Sequence, residues 1–223
     1  MNVLIFGATG MVGQGVLREC LLDTNVQLVQ TVGRTPTSVQ HPKLRNVVHA
    51  DLFHFEALEA SLTGFDACLF CLGVTSSGKA EEDYERVTYG ITMAAAETLC
   101  RLNPQMTFIY VSGAGTDRSE RGRIMWARVK GKTENALLRL PFAAAYMFRP
   151  GIIEPLDGIK SKTNVYQIFY TLCKPLLPLI RLIFPNQIVT TRQVGRAMLT
   201  VARHGWPKRV LEIQELRAAS AES

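Results

Sequence analysis

The chain reads as an α/β protein built on a doubly wound parallel sheet and completed by a small C-terminal cap. Three observations point there. The chain opens on a continuously apolar strand that runs into a glycine-rich turn and a helix. Short apolar runs then alternate with helical stretches as far as Gly151. The length of 223 residues suits one such sheet with helices on both faces. Hydrophobic residues at 47% and charged residues at 20% give the balance of a soluble globular chain.

The first strand is residues 2–6, where Val3, Leu4, Ile5 and Phe6 leave no polar face, as in a central strand covered on both sides. Gly7, Gly10 and Gly13 follow, with Ala8, Thr9, Met11 and Val12 between them, and residues 11–22 form the first helix. Gly7 permits the tight turn, Gly10 lets the backbone approach a pyrophosphate, and Gly13 lets the helix pack on the strand with the phosphates at its N-terminus. The strand before and the helix after make residues 7–13 a dinucleotide-binding turn rather than a chance glycine pattern.

Residues 26–32 form the second strand, ending in Gly33 and Arg34. An acidic residue about 20 positions past the last glycine would hold a ribose 2′-hydroxyl and select NAD. Glycine stands there instead, and Arg34 beside it suits a 2′-phosphate with its planar fork. NADP is therefore favoured over NAD, against the plainer reading of an exposed arginine at a strand end. Residues 46–50 form the third strand, followed by Asp51 and Leu52, with Asp51 placed to cap a helix over 54–62. Residues 67–72 form the fourth, ending at Leu72 before Gly73, Val74 and Thr75. Cys68 and Cys71 have C-x-x-C spacing, but three residues along a strand point to opposite faces, so no metal site or redox disulfide is expected.

Residues 81–102 read as a long crossover helix with Val87, Ile91, Ala94, Ala95, Thr98 and Leu99 facing inward. A fifth strand over 106–111 runs into Ser112 and Gly113, a helix spans 121–140, and a sixth strand over 143–148 gives onto Arg149, Pro150 and Gly151. The pattern then changes. Residues 152–190 make a substrate-side segment, in which 166–184 is strongly apolar but carries Lys174, Pro175, Pro178 and Arg181, a poor composition for a spanning helix. A cap over substrate, a dimer surface and an element lying on a membrane are the uses open to it. A short strand at 210–213 closes a single domain over 1–216, and 217–223 reads as a disordered tail.

Charge is unevenly spread: 7 basic against 11 acidic residues in 1–112, and 18 against 8 in 113–223. A basic second half suits an anionic ligand, cofactor phosphates or a membrane surface, or is simply a solvated face. No nucleic-acid motif accompanies it. The five cysteines lie mostly in apolar runs, as buried thiols of a reducing compartment do, and the chain opens on a core strand without a secretory segment. A cytoplasmic protein is expected.

The G-x-x-G-x-x-G turn, CLGVTSSGK over 71–79, WARVKGK over 126–132 and the Arg149-Pro150-Gly151 turn together resemble the atypical short-chain dehydrogenase/reductase superfamily, nearest its Tat-interacting-protein-like branch. The resemblance covers nearly all of residues 1–215. It implies a Rossmann fold and an NADP-binding protein with redox or regulatory roles. It places Asp51 and Leu52 at the adenine, Leu72, Gly73 and Val74 against the ribose, and Arg149, Pro150, Gly151 and Ile152 at the nicotinamide. It makes Lys130 the lysine that binds the nicotinamide ribose and Ser112 the residue that orients the substrate oxygen. Residues 187–203 resemble a late signature of the group, with Gln193 where an acidic residue is usual.

Trp126 stands where the superfamily carries its catalytic tyrosine. An indole N–H donates a hydrogen bond but does not titrate usefully in water, and acid–base assistance is worth about 10²–10⁴-fold. Tyr84, Tyr89, Tyr110, Tyr146, Tyr166 and Tyr170 are the other tyrosines, with Tyr166 the one in the substrate-side segment. Two readings follow. One is an NADP(H)-dependent oxidoreductase or epimerase-like enzyme on a small carbonyl or hydroxyl compound, with no metal, acting as monomer or homodimer. The other is a non-catalytic NADP(H)-dependent sensor or assembly protein with peripheral membrane contact.

Overall fold

The computed structural model describes residues 1–159 and 187–222. β1 (Asn2–Phe6) lies between β2 (Leu28–Gly33) and β4 (Ala67–Phe70), and β3 (Leu44–Val48), β5 (Thr107–Val111), β6 (Ala144–Phe148) and β9 (Val210–Leu211) complete the sheet. All pairings are parallel, in the order β3-β2-β1-β4-β5-β6-β9. The order reverses between β1 and β4, so the connections leaving these two strands part to opposite faces and open a crevice at their carboxyl ends.

Alternation along β1 divides the core. Val3 and Ile5 face α1 (Met11–Leu22), α5 (Thr191–His204) and α6 (Ile213–Ala221), meeting Val16, Cys20, Val194, Met198 and Leu216. Leu4 and Phe6 face a 3₁₀ helix (Glu56–Leu62), α3 (Ile91–Leu102) and α4 (Met125–Leu137). On that face Phe6, Phe70 and Phe108 form a row across three strands, with ring centroids 5.2 and 5.8 Å apart. Cys68 faces the second core and Cys71 the first.

Several expected elements are altered for identifiable reasons. The stretch 81–102 is helical throughout, but α2 (Glu81–Glu85) passes into α3 through a π turn (Arg86–Gly90). The extra residue in that turn breaks the 3.6-residue phase. Ile91, Ala95 and Leu99 are buried as expected, whereas Val87, Ala94 and Thr98 are only partly so and Tyr84, Thr88 and Thr92 turn inward. The helix expected over 121–140 begins only at Met125, because Asp117 draws the preceding segment into a loop: its carboxylate accepts the N–H groups of Ser119 at 2.9 Å and Gly122 at 2.7 Å. Asp51 caps no helix. It closes a turn instead, accepting the Phe53 N–H at 2.9 Å with His54 Nδ1 at 2.8 Å, and the 3₁₀ helix starts later.

The expected disordered tail is also corrected. α6 extends to Ala221 and buries Leu216, Ala219 and Ser220. Ala219 and Ser220, three and four residues after Leu216, continue the stripe begun by Ile213 and Leu216 that docks beside α5, and these two side chains are too small to stand out in the sequence. Gln193 completes a capping box at the start of α5: Thr190 Oγ1 accepts the Gln193 N–H at 3.1 Å and Gln193 Oε1 accepts the Thr190 N–H at 2.9 Å. β7 (Ile152–Glu154) and β8 (Ile188–Thr190) pair in parallel as a separate ribbon at the two ends of the substrate-side segment. The apolar stretch 166–184, with Tyr166 and Tyr170, lies outside the described residues.

Candidate functional site

A cleft of about 1040 Å³ opens over the carboxyl ends of β1 and β4. Its floor is the turn from Gly7 to Val12. Gly7 is left-handed at φ 78°, and a Cβ there would lie 2.6 Å from the Leu72 backbone, so only glycine fits. A Cβ on Gly13 would sit 2.1 Å from the Gly7 carbonyl oxygen, which is why α1 can lie directly on the turn; Gly13 itself is behind the cleft wall. α1 has no side-chain cap and no acidic residue in its first turn. The Gly10 N–H is taken by the Gly7 carbonyl at 2.9 Å, which leaves the first-turn N–H groups of Met11 and Val12 for whatever occupies the cleft. Unpaired donors at the positive end of a helix form an anion site.

At one end the cleft is lined by Gly33, Arg34, Thr35, Thr37 and Leu52. Asn46 fixes this corner, its Oδ1 accepting the Thr37 N–H at 3.1 Å and the Thr31 hydroxyl at 2.8 Å. Arg34 is exposed over it. Asp51 is not brought into the cleft, since its carboxylate is engaged in its own turn. The middle is walled by Leu72, Gly73, Val74, Thr75 and Ser76, and a Cβ on Gly73 would meet nothing within 4 Å.

The far end gathers Tyr84, Ser112, Gly113, Ala114, Trp126, Lys130, Pro150, Gly151 and Ile153. Trp126 and Lys130 are one turn apart on α4 and share its cleft-facing side. The Lys130 ammonium donates to the Ser112 carbonyl, and burial pulls its pKa down to about 8 despite Glu134 nearby. Ser112 presents backbone rather than hydroxyl to this arrangement. Its Oγ lies 2.6 Å from Glu134 Oε1 and 3.2 Å from the Phe148 carbonyl, and a hydroxyl has one proton to give.

Glu134 is completely buried and doubly bound by Arg149, Nε to Oε1 at 2.9 Å and Nη2 to Oε2 at 2.6 Å. Arg149 also reaches Glu212 at 3.0 Å. Arg149 therefore stands behind the wall, not at the nicotinamide end as the family resemblance implies, because the buried carboxylate holds it there. Ile152 likewise points out, 38% exposed, and the alternation of β7 delivers Ile153 to the cleft in its place.

Sequence reasoning did not single out Glu134 or place Tyr84 here. Glu134 had a signal, four residues after Lys130 and so on the same helix face. Tyr84 had none, since the π turn hides its phase. Among the described residues lining the cleft there is no carboxylate, while Arg34 and Lys130 stand at its two ends and the α1 N-terminus lies between them. The chemistry of the wall fits an elongated ligand carrying several negative charges, as a dinucleotide does.

Residues 7–141 match the family model described as NAD(P)H-binding. The chain belongs to the NAD(P)H-binding family. Within it, the chain is an atypical member of the short-chain dehydrogenase/reductase superfamily. It is 32% identical over 155 residues to Protein FMP52-2, mitochondrial, of Scheffersomyces stipitis, a match spanning 68% of this chain and 66% of that one. It is 28% identical over 155 residues to Protein HTATIP2 of Rattus norvegicus, spanning 68% and 62%. The matched region thus falls just short of two-thirds of these relatives' own lengths.

Among solved structures, the Bordetella bronchiseptica enzyme WbmF in complex with NAD+ superposes with a TM-score of 0.68 at 16% identity, covering 99% of this chain and 77% of that one. A short-chain dehydrogenase/reductase family oxidoreductase from Burkholderia thailandensis gives 0.69 at 15% identity, covering 98% and 92%. At these identities the likeness establishes the Rossmann fold.

The relatives overturn the expectation of a cytoplasmic protein, since the FMP52 proteins of Scheffersomyces stipitis and Debaryomyces hansenii are named mitochondrial. That expectation rested on buried cysteines and on a chain opening with a core strand, and neither feature reports on delivery to an organelle.

Proposed function

We propose that the chain is an oxidoreductase that takes NADP(H) in preference to NAD(H) and acts on the carbonyl or hydroxyl group of a small molecule. The observation that carries this reading is the placement of Arg34 and Lys130 at opposite ends of one cleft, with no carboxylate among its described lining residues and the uncapped end of α1 between them. Arg34 meets the 2′-phosphate, for which a planar guanidinium is suited. The N–H groups of Met11 and Val12 hold the diphosphate. Lys130 has two protons left after its bond to the Ser112 carbonyl, and one of these reaches a hydroxyl of the nicotinamide ribose. The reduced nicotinamide, when bound, supplies the hydride. Trp126 walls the substrate position and offers its indole N–H to the substrate oxygen.

A second reading, a cofactor-dependent sensor without turnover, is favoured by two features of the same site. Trp126 replaces the tyrosine, and the Ser112 hydroxyl is committed to Glu134. Calorimetric titration with NADP, NADPH, NAD and NADH tests what the two readings share. Tight NADP(H) binding with weak NAD(H) binding is expected, and no binding of any of the four refutes both. Trp126→Tyr separates them. Turnover of carbonyl compounds that appears or rises sharply supports the enzyme; an inert variant across a broad panel supports the sensor.

A further inference from the structure

An oxidoreductase of this design needs a proton at the substrate oxygen, and Trp126 does not provide one. Among the described residues, the groups lining the far half of the cleft that can exchange a proton are Lys130, Tyr84 and, deeper, Cys71. The Cys71 thiol is pushed up to about 12 by burial, which removes it at neutral pH. We propose, resting on the oxidoreductase reading above, that Lys130 itself delivers the proton to the substrate oxygen, and that Arg149 leaves it free to do so by occupying Glu134.

The geometry makes the case. Glu134 is the carboxylate closest in sequence on the same helix face, four residues from Lys130, and in an ordinary helix it would pair with that lysine. Here both its oxygens are spent: Oε2 on Arg149 Nη2, and Oε1 on Arg149 Nε and the Ser112 hydroxyl. Lys130 is left with a neutral partner, the Ser112 carbonyl. An ammonium sunk in the wall without a carboxylate bonded to it is a readier acid than one in water, in keeping with its lowered pKa of about 8.

Among the described residues, the charged and titratable groups of this part of the wall are Glu134 on its own helix, Arg149 behind Glu134 at the end of β6, Tyr84 on α2, and Tyr110 on β5, which interacts with Tyr84 and Glu134. Burial raises the Tyr110 phenol well above its usual range, so it holds its proton.

The step balances. As the substrate carbonyl carbon gains the hydride, the carbonyl π pair moves onto oxygen. That oxygen forms its new bond to a proton from Lys130 Nζ, and the N–H bonding pair stays on nitrogen. The resulting neutral amine takes a proton back from solvent. Reduction therefore requires the protonated lysine and declines as pH rises through about 8.

The test has two arms. In the full chain labelled with ¹³C-lysine, without nucleotide, the ¹³Cε resonance missing from Lys130→Arg is followed against pH. A midpoint near 8 is expected, and a midpoint above about 10, the ordinary lysine value, overturns the proposal alone. The second arm follows NADPH oxidation with 9,10-phenanthrenequinone as the carbonyl probe. Lys130→Arg keeps a cation but not a usable acid, so it should bind NADPH within a few-fold of wild type yet lose at least about 100-fold in rate.

In Arg149→Met, Glu134 is released toward Lys130 and the high-pH limb should move up, whereas Tyr84→Phe should keep that limb near pH 8. A Tyr84→Phe variant that loses the limb while Lys130→Arg retains its rate overturns the assignment in favour of the tyrosine. No NADPH oxidation by the wild-type protein overturns the oxidoreductase reading and this proposal together.

Discussion

Replacing Arg149 by Met removes two of the three donors that hold a carboxylate with no solvent exposure. What remains for Glu134 is the Ser112 hydroxyl at 2.6 Å. Breaking a buried ion pair from one side costs about 3–5 kcal/mol, because the surviving charge stays buried and unbalanced. One surviving hydrogen bond places Arg149→Met near the lower end, about 3 kcal/mol. In a chain of this size that is roughly 6–12 °C in Tm. Glu212, the other partner of Arg149, is half exposed and returns to water at little cost.

The double variant Arg149→Met/Glu134→Leu removes both charges and should regain about 2 kcal/mol of the loss, since apolar replacements of buried pairs are often near neutral. Urea denaturation of wild type, both single variants and the double variant measures the coupling, provided each transition is two-state. A loss below about 1 kcal/mol for Arg149→Met, or a double variant no more stable than that single variant, would show that the pair does not hold the wall.

Gly13→Ala puts a methyl 2.1 Å from a backbone oxygen and 2.8 Å from the Ala8 Cα, so α1 must lift from the turn. NADPH affinity should fall at least about tenfold, and stability by about 1–3 kcal/mol despite the gain in helix propensity; calorimetry and denaturation check both. Arg34→Ala should weaken NADP binding much more than NAD binding, and equal losses in calorimetry contradict a role at the 2′-phosphate.

Lys130 has a folded-state pKa of about 8, below the unfolded value of about 10.4. The folded state therefore gives up this proton first, and stability from this group rises with pH between those values, by up to about 3 kcal/mol. Lys130→Met should lack that rise and be the more stable protein at pH 7, as urea midpoints at pH 7 and pH 10 would report.

The frame was legible because its signals are local. The apolar run ending at Phe6, the three glycines and the regular return of strands fix a parallel sheet and a phosphate turn without any distant contact. The parts that escaped depend on distant residues or on a break in period. Arg149 belongs to a sequence turn shared with the family, yet its direction is decided by Glu134, a carboxylate whose burial no local pattern announces. Ile152 and Ile153 are equally apolar, and only the pairing of β7 with β8 determines which of them faces the cleft. Asp117 and Asp51 both have the composition of helix caps and both tie turns instead, because neighbouring N–H groups were nearer than a helix end. In α6 the buried face that begins with Ile213 and Leu216 is continued by Ala219 and Ser220, which a hydrophobicity reading passes over.

The π turn at Arg86–Gly90 makes this wall unusually sensitive to insertions and deletions. A single deletion there would let α2 join α3 as an unbroken α-helix, with no loss of backbone hydrogen bonding to select against it. Everything after the turn would stay docked, but everything before it would rotate by about 100° and slide by about 1.5 Å. Tyr84 would leave the cleft, and Glu81 and Glu85 would swing away from Arg128 and Lys132 on α4, which they now meet at 2.6 and 2.5 Å. One codon thus separates two differently lined cavities on the same sheet, a short route by which a lineage could change what its cleft accepts while leaving the dinucleotide end untouched.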